Sequence, residues 1–297
     1  MAVAVAVMFA ASSCGAPTTI DPGPSVVRAD PPAGRSEPVS EPPPPADTPP
    51  PDAPPPDPGA RGPAVDRPAW LGTRPLPLRP DGFGQIQPTP PELVDRRLAT
   101  PDVLAPPPDD VFVATVATLP DDVAARSTWQ PACPVGRADL RYITVSFWGF
   151  DQRPHTGELL VHADVAEEVV GVFRRLHDAR FPIEEMRVTR ADELDAHPTG
   201  DGNNTGGFVC RPSRGTTAWS EHAYGRAVDI NPFHNPYVKG DVVLPELASA
   251  YVDRSWTRPG MIVAGDVVTA AFADLGWGWG GEWRSSRDPM HFSTTGR

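Results

Sequence analysis

Lysine is almost missing from this sequence: Lys239 is the only one, and the remaining basic side chains besides the histidines are arginines. No run of basic residues occurs, which removes the electrostatic footprint expected of a nucleic-acid-binding protein. The net charge is −12, and such an acidic balance speaks for solubility more than for a particular partner. Long apolar runs are also missing. The stretch from Ala2 to Ala11 is too short to cross a bilayer as a helix. There are three cysteines, none in a Cys-x-x-Cys pair, so a thiolate zinc site is not indicated. Large apolar residues are scarce from Gly15 to Pro108. Of 41 prolines, 29 precede residue 109. A stretch of this composition is expected not to bury enough surface to offset its ordering entropy, and residues 15–108 read as a disordered, Pro-rich linker. Its blocks, such as Pro42-Pro43-Pro44-Pro45 and Pro54-Pro55-Pro56, favour extended polyproline II.

The apolar run suits the hydrophobic region of an export signal. Ala11-Ser12-Ser13-Cys14-Gly15 resembles a bacterial lipoprotein processing site, which implies lipidation of Cys14 and a signal segment over residues 1–14. Plain secretion is the alternative. Either route places the protein outside the cytoplasm. The lipid route anchors it to the outer face of the cytoplasmic membrane, with the linker as spacer. Export leaves Cys133 and Cys210 as a candidate disulfide; two buried, reduced thiols are the other possibility.

Residues 109–297 carry nearly all the aromatics and the regular apolar patterning, enough for one core. Leu140 to Trp148 reads as a strand rich in β-branched and aromatic residues, with Gly157 to His162 as its partner. Asp164 followed by Glu167 has the form of a capping box. Val165, Val169, Val172, Phe173 and Leu176 then repeat at helical spacing up to about Arg180. Ile183 to Val188 and Gly225 to Asn231 read as strands, and Val267 to Leu275 as a short helix. The expected class is α+β, an antiparallel sheet with flanking helices.

Two segments carry the chemistry. In Ser220-Glu221-His222-Ala223-Tyr224-Gly225-Arg226-Ala227-Val228-Asp229, an imidazole precedes a tight turn and a carboxylate stands on the strand that follows. The second is Gly276-Trp277-Gly278-Trp279-Gly280-Gly281-Glu282-Trp283, followed by Asp288-Pro289-Met290-His291-Phe292. Two His and one Asp make a three-ligand zinc site with the fourth position open to water. A hydrolase needs that position, because zinc lowers the pKa of bound water.

Taken together, the pattern Ser-x-His-x-x-Gly-x-Ala-x-Asp and the later Asp-x-x-His-Phe resemble the M15 peptidases, the D-alanyl-D-alanine carboxypeptidase and L-alanyl-D-glutamate endopeptidase group. Hedgehog signalling domains and lysostaphin-type peptidases share the wider fold and metal arrangement. The resemblance implies one zinc per chain, held by His222, Asp229 and His291. It places Asp288 as the acid/base carboxylate and Arg211 near the substrate-binding arginine. It also implies peptidoglycan stem peptides as substrate, and we expect a monomer. The residues themselves agree: Asp288, three positions from a ligand, is in reach of a metal-bound water without being a ligand, and Arg211 offers a planar fork for an oxyanion or a carboxylate.

Plainer roles exist for each: a turn-capping Asp229, a core His291, a loop-capping Asp288, an ion-paired Arg211. Ser220 reads as a hydrogen-bonding partner, and His234 as a non-ligand. His155, His162, His177 and His197 read as surface or packing residues. Trp277, Trp279 and Trp283 line either the cleft or the core, and Glu282 reads as solvated. The competing function is a non-catalytic, zinc-bearing peptidoglycan-binding domain on the same fold. Asp288 argues against it, because a binder needs no base.

Overall fold

The computed structural model describes residues 64–297. The signal segment 1–14, the lipidation of Cys14 and linker residues 15–63 lie outside the described residues.

Two small sheets and two helices build the main core. Strands β1 (Ala114–Thr118), β2 (Leu140–Trp148) and β3 (Pro154–His162) form one sheet in the order β1-β2-β3. The expected pair is present: β2 and β3 run antiparallel in register from Leu140↔His162 to Trp148↔Pro154. β1, largely exposed, pairs with the other edge of β2. Short helices α1 (Pro91–Val94) and α2 (Asp121–Arg126) precede β1 and β2 respectively.

Helix α3 (Ala166–Asp178) lays Val169, Val172, Phe173 and Leu176 on the sheet, all buried. Its start differs from the expected capping box. A 3-10 turn over Ala163–Val165 comes first, capped by His162, whose Nδ1 accepts from Asp164 N at 3.2 Å. Asp164 instead pairs with Arg226 at 2.6 Å. The charge partner outside the helix wins over the local cap.

Six more strands are short: β4 (Glu185–Met186), β5 (Asn204–Thr205), β6 (Ala227–Asp229), β7 (Tyr237–Lys239), β8 (Val242–Leu244) and β9 (Gly278–Trp279). Helix α4 (Val267–Ala273) precedes β9, and β10 (His291–Ser293) follows it. The second three-stranded sheet has the order β6-β10-β9; β4 and β5 pair in parallel, and β7 and β8 form a hairpin. The architecture is thus mixed, with several small, mostly antiparallel sheets in place of one continuous sheet. Val228 of β6, Phe292 of β10 and Phe272 of α4 belong to the same core as β2, β3 and α3. That shared core fixes the second sheet, which carries the site.

The boundary expected at residue 109 falls inside the folded part. Residues 64–108 are packed. Leu93 and Leu98 are fully buried, in a cluster with Leu76, Phe233, Tyr251 and Met261. Arg96 is buried with them. It donates through Nε and Nη2 to the two oxygens of Glu184, each at 2.7 Å, and through Nη1 to Asp201 O at 2.8 Å. Composition hid this because a few well-spaced apolar anchors suffice to fix an extended, Pro-rich backbone on an existing core. A buried arginine also looks like a solvated one in sequence.

Cys133 and Cys210 form a disulfide with Cα atoms 5.8 Å apart. It ties the chain ahead of β2 to the segment leading into the site.

Candidate metal centre

Asp229 closes β6 and His291 opens β10, and the antiparallel register puts them directly opposite. Residues opposite each other in such a pair project to the same face. The one-residue specificity of strand register therefore brings this carboxylate and this imidazole together. Asp229 is fixed further by a reciprocal backbone pair with Gly206, at 2.9 and 3.0 Å.

His222 arrives from a 3-10 turn, Glu221–Tyr224. Ser220 caps the turn by accepting from His222 N at 3.4 Å, which is the hydrogen-bonding role expected of it. Gly225 ends the turn with φ 67°, in the left-handed region. A Cβ there would meet His162 N at 2.6 Å, so only glycine lets the turn seat against β3.

The three side chains converge. His222 Nε2 lies 3.1 Å from His291 Nδ1 and 3.2 Å from Asp229 Oδ2, and His291 Nδ1 lies 3.1 Å from Asp229 Oδ1. The far nitrogens define the tautomers. His222 Nδ1 faces Gly207 O at 2.6 Å, and His291 Nε2 faces Arg297 O at 2.7 Å. A main-chain oxygen only accepts, so each imidazole carries a hydrogen on its far nitrogen. As neutral rings, both then turn a lone pair to the same point as the Asp229 carboxylate. Three lone-pair donors facing one another repel unless a cation, a proton or a metal, sits among them. The separations approach the edges of a tetrahedron with zinc bonds of about 2.0–2.1 Å, roughly 3.3 Å. The donor set therefore fits a divalent metal with an open position. These residues are the His/Asp cluster with metal-holding geometry among the described residues.

Electrostatics agree. Burial alone pushes Asp229 up, but the charge of His222 and hydrogen bonds from both histidines outweigh it and hold the carboxyl well below the usual range. Burial pushes His222 down, and the Asp229 charge and hydrogen bond reverse this and raise it. Without a metal, a proton takes the place of the cation.

Asp288 stands at the edge of this cluster. Its backbone is fixed by Asp288 N donating to Gly280 O at 2.9 Å and by His291 N donating to Asp288 O at 3.0 Å. Its Oδ1 is buried without a hydrogen-bond partner. Burial, reinforced by the Asp229 charge, pushes the group up to about 7. A buried carboxylate oxygen left unpaired costs free energy, and at an active site such an atom is a candidate base.

Arg211 is half-buried and feels both Asp229 and Asp288. Burial, then repulsion from Arg214, lowers its pKa. Its guanidinium donates to Pro212 O at 3.2 Å. No carboxylate lies within ion-pair distance of it among the described residues.

The tryptophans divide. Trp277 is core, with Nε1 donating to Glu168 at 3.1 Å. Trp279 donates to Pro289 O at 2.9 Å and so braces the residue after Asp288. Trp283 lies against His291, ring centroids 5.5 Å apart. Glu282 is exposed, as expected. His234 is no ligand: it is buried, bonded to Arg96 O at 2.9 Å and to Asn203, and burial pushes it down to about 4. His155 has more partners than the sequence indicated, with Asp102 at 2.7 Å and Asp151 at 3.0 Å. His162 caps the turn before α3, and His177 packs between Phe112 and Trp148. Sequence reasoning missed the two main-chain acceptors, Gly207 O and Arg297 O, because any residue carries one.

No curated protein matches the chain, and no solved structure does. Residues 214–294 match the profile of a family described as D-alanyl-D-alanine carboxypeptidase, among the M15 peptidases. The matched segment holds His222, Asp229, Asp288 and His291; Arg211 lies just ahead of it. The segment that builds this centre is thus similar to the M15 peptidases.

Proposed function

We propose that the domain is a zinc peptidase of the hedgehog-type metal fold that hydrolyses peptide bonds in peptidoglycan stem peptides. The observation that carries this reading is the convergence of three metal-compatible lone pairs beside a buried, unpartnered carboxylate oxygen. His222 Nε2, Asp229 and His291 Nδ1 hold the ion. Bound there, zinc supplies Lewis acidity toward the scissile carbonyl and toward water. Asp288 takes the proton of the attacking water and returns it to the leaving amine. Its raised pKa suits both directions of transfer near neutral pH, although the charge of a bound cation draws it down. Arg211 binds a carboxylate of the substrate in a bidentate fork.

Asp288 also separates catalysis from simple binding, since a binding domain has no use for a buried base. Carboxypeptidase and endopeptidase action both suit the centre. The unpaired guanidinium of Arg211 favours the carboxypeptidase, whose substrate ends in a free carboxylate close to the cut bond. The export signal and lipid anchor read from the sequence would put the enzyme at the cell envelope, where such peptides are. Mass spectrometry of purified stem peptides incubated with the zinc-loaded protein tests the proposal. Loss of a terminal D-alanine is expected. Internal cleavage would make it an endopeptidase, and no cleavage of any stem peptide would overturn the peptidase reading.

A further inference from the structure

His291 offers Nδ1 to the cluster, which leaves Nε2 on its far side. Nε2 meets the main-chain oxygen of Arg297 at 2.7 Å. That oxygen and the peptide before it are held by neighbouring side chains. Ser293 Oγ, fully buried, donates to it at 2.8 Å and accepts from Arg297 N at 3.0 Å. Trp283, whose ring lies against His291, donates from Nε1 to Gly296 O at 2.9 Å. Gly296 has φ 73°, and a Cβ added to Gly278 of β9 would lie 2.4 Å from Gly296 Cα. The backbone at 296 thus folds back in contact with β9, a path that needs glycine on both sides.

We infer that Arg297 is a positioning residue for the metal ligand His291, acting through its main-chain oxygen, with Ser293 holding that oxygen and Trp283 the adjoining Gly296 carbonyl in place. The oxygen keeps the imidazole hydrogen on Nε2 and the lone pair on Nδ1, and it fixes the ring plane toward Asp229 and His222. His222 has the same arrangement from Gly207 O, but Gly207 is part of the packed interior, whereas residues 294–297 follow β10 and fold back on the ligand. Residues 294–297 form a clasp on the centre. Acceptors of this kind are worth about 10- to 100-fold in metal affinity.

The inference rests on the cluster being a metal site, and its test separates the two claims. The full chain, the chain lacking Gly296 and Arg297, and Ser293→Ala are compared. Zinc affinity is read by competition with a chromophoric chelator, the ligand field from the visible spectrum of the cobalt(II)-loaded protein, and the fold from far-UV circular dichroism. The truncated chain is expected to keep its fold, bind zinc about 10- to 100-fold more weakly and show an altered cobalt spectrum. Ser293→Ala is expected to shift both readouts the same way by a smaller amount. Parental affinity and spectrum in the truncated chain would overturn the clasp while leaving the metal site standing. Should truncation unfold the protein, Ser293→Ala decides by the same readouts. A full chain that binds neither metal would overturn both claims.

Discussion

Two carboxylates close to one centre carry opposite assignments here, and the difference lies in their surroundings. Asp229 faces both histidines and is held ionised. Asp288 has a buried oxygen with no partner, and burial raises its pKa to about 7 when no metal is present. Asp229→Asn is expected to lose both zinc and activity. Asp288→Asn is expected to keep zinc but lose two or more orders of magnitude in turnover, the usual scale of acid–base catalysis. Metal analysis alongside initial rates checks this; loss of zinc in Asp288→Asn would make Asp288 a ligand. A second consequence concerns stability of the metal-free protein. The Asp288 pKa rises from 3.8 to about 7 on folding, so the unfolded chain releases the proton first as pH rises. The stability that the Asp288 proton contributes therefore falls from about pH 4, and its loss is complete above about pH 7. Asn has no proton to lose. The melting temperature of metal-free Asp288→Asn should sit near the parent's at pH 4 and climb above it toward pH 7.5. A difference that does not change with pH would contradict the buried, raised carboxyl. The grouping of His222, Asp229 and His291 was legible in sequence because each half of the pattern is local and its chemistry is in the side chain. The acceptors behind the histidines were not, since a main-chain oxygen leaves no mark in a sequence.

At the scale of elements, strand pairing does the positioning. The β6–β10 register places Asp229 opposite His291, and a turn ended by Gly225 delivers His222. Long periodic elements were legible: β2 runs Leu140–Trp148 as expected, and α3 differs only at its start. The short strands β5 and β9 were not, because two residues carry no periodicity, and the strand expected over Ile183 to Val188 shortens to β4. The segment 64–108 was misread for a different reason. Its stability comes from one deeply buried ion pair and a few leucines, which average composition conceals. Arg96→Met would leave Glu184 buried without its main partner, a change expected to cost about 3–5 kcal/mol. Chemical denaturation checks this, and a cost below about 1 kcal/mol would mean the segment is only loosely attached. The Cys133–Cys210 bond, which closes a sequence separation of 77, should contribute a few kcal/mol. Reduction, or Cys133→Ser, is expected to lower the denaturation midpoint accordingly.

On the scale of the whole molecule, one core carries both three-stranded sheets, and the His222/Asp229/His291 cluster sits on the β6-β10-β9 sheet. A second core cluster, built with residues before 109, supports the chain that follows β6. A fragment beginning at residue 109 would lack Leu93, Arg96 and Leu98 and is expected to be poorly folded, whereas one beginning at 64 retains them. The central claim is that His222, Asp229 and His291 hold one catalytic zinc. Its most direct test is elemental analysis of the purified full chain beside His222→Ala and His291→Ala. We expect about one zinc per chain in the parent, as a single three-ligand site with an open fourth position requires, and little in either variant. Full zinc content in both variants, or none in the parent after zinc loading, would contradict the account.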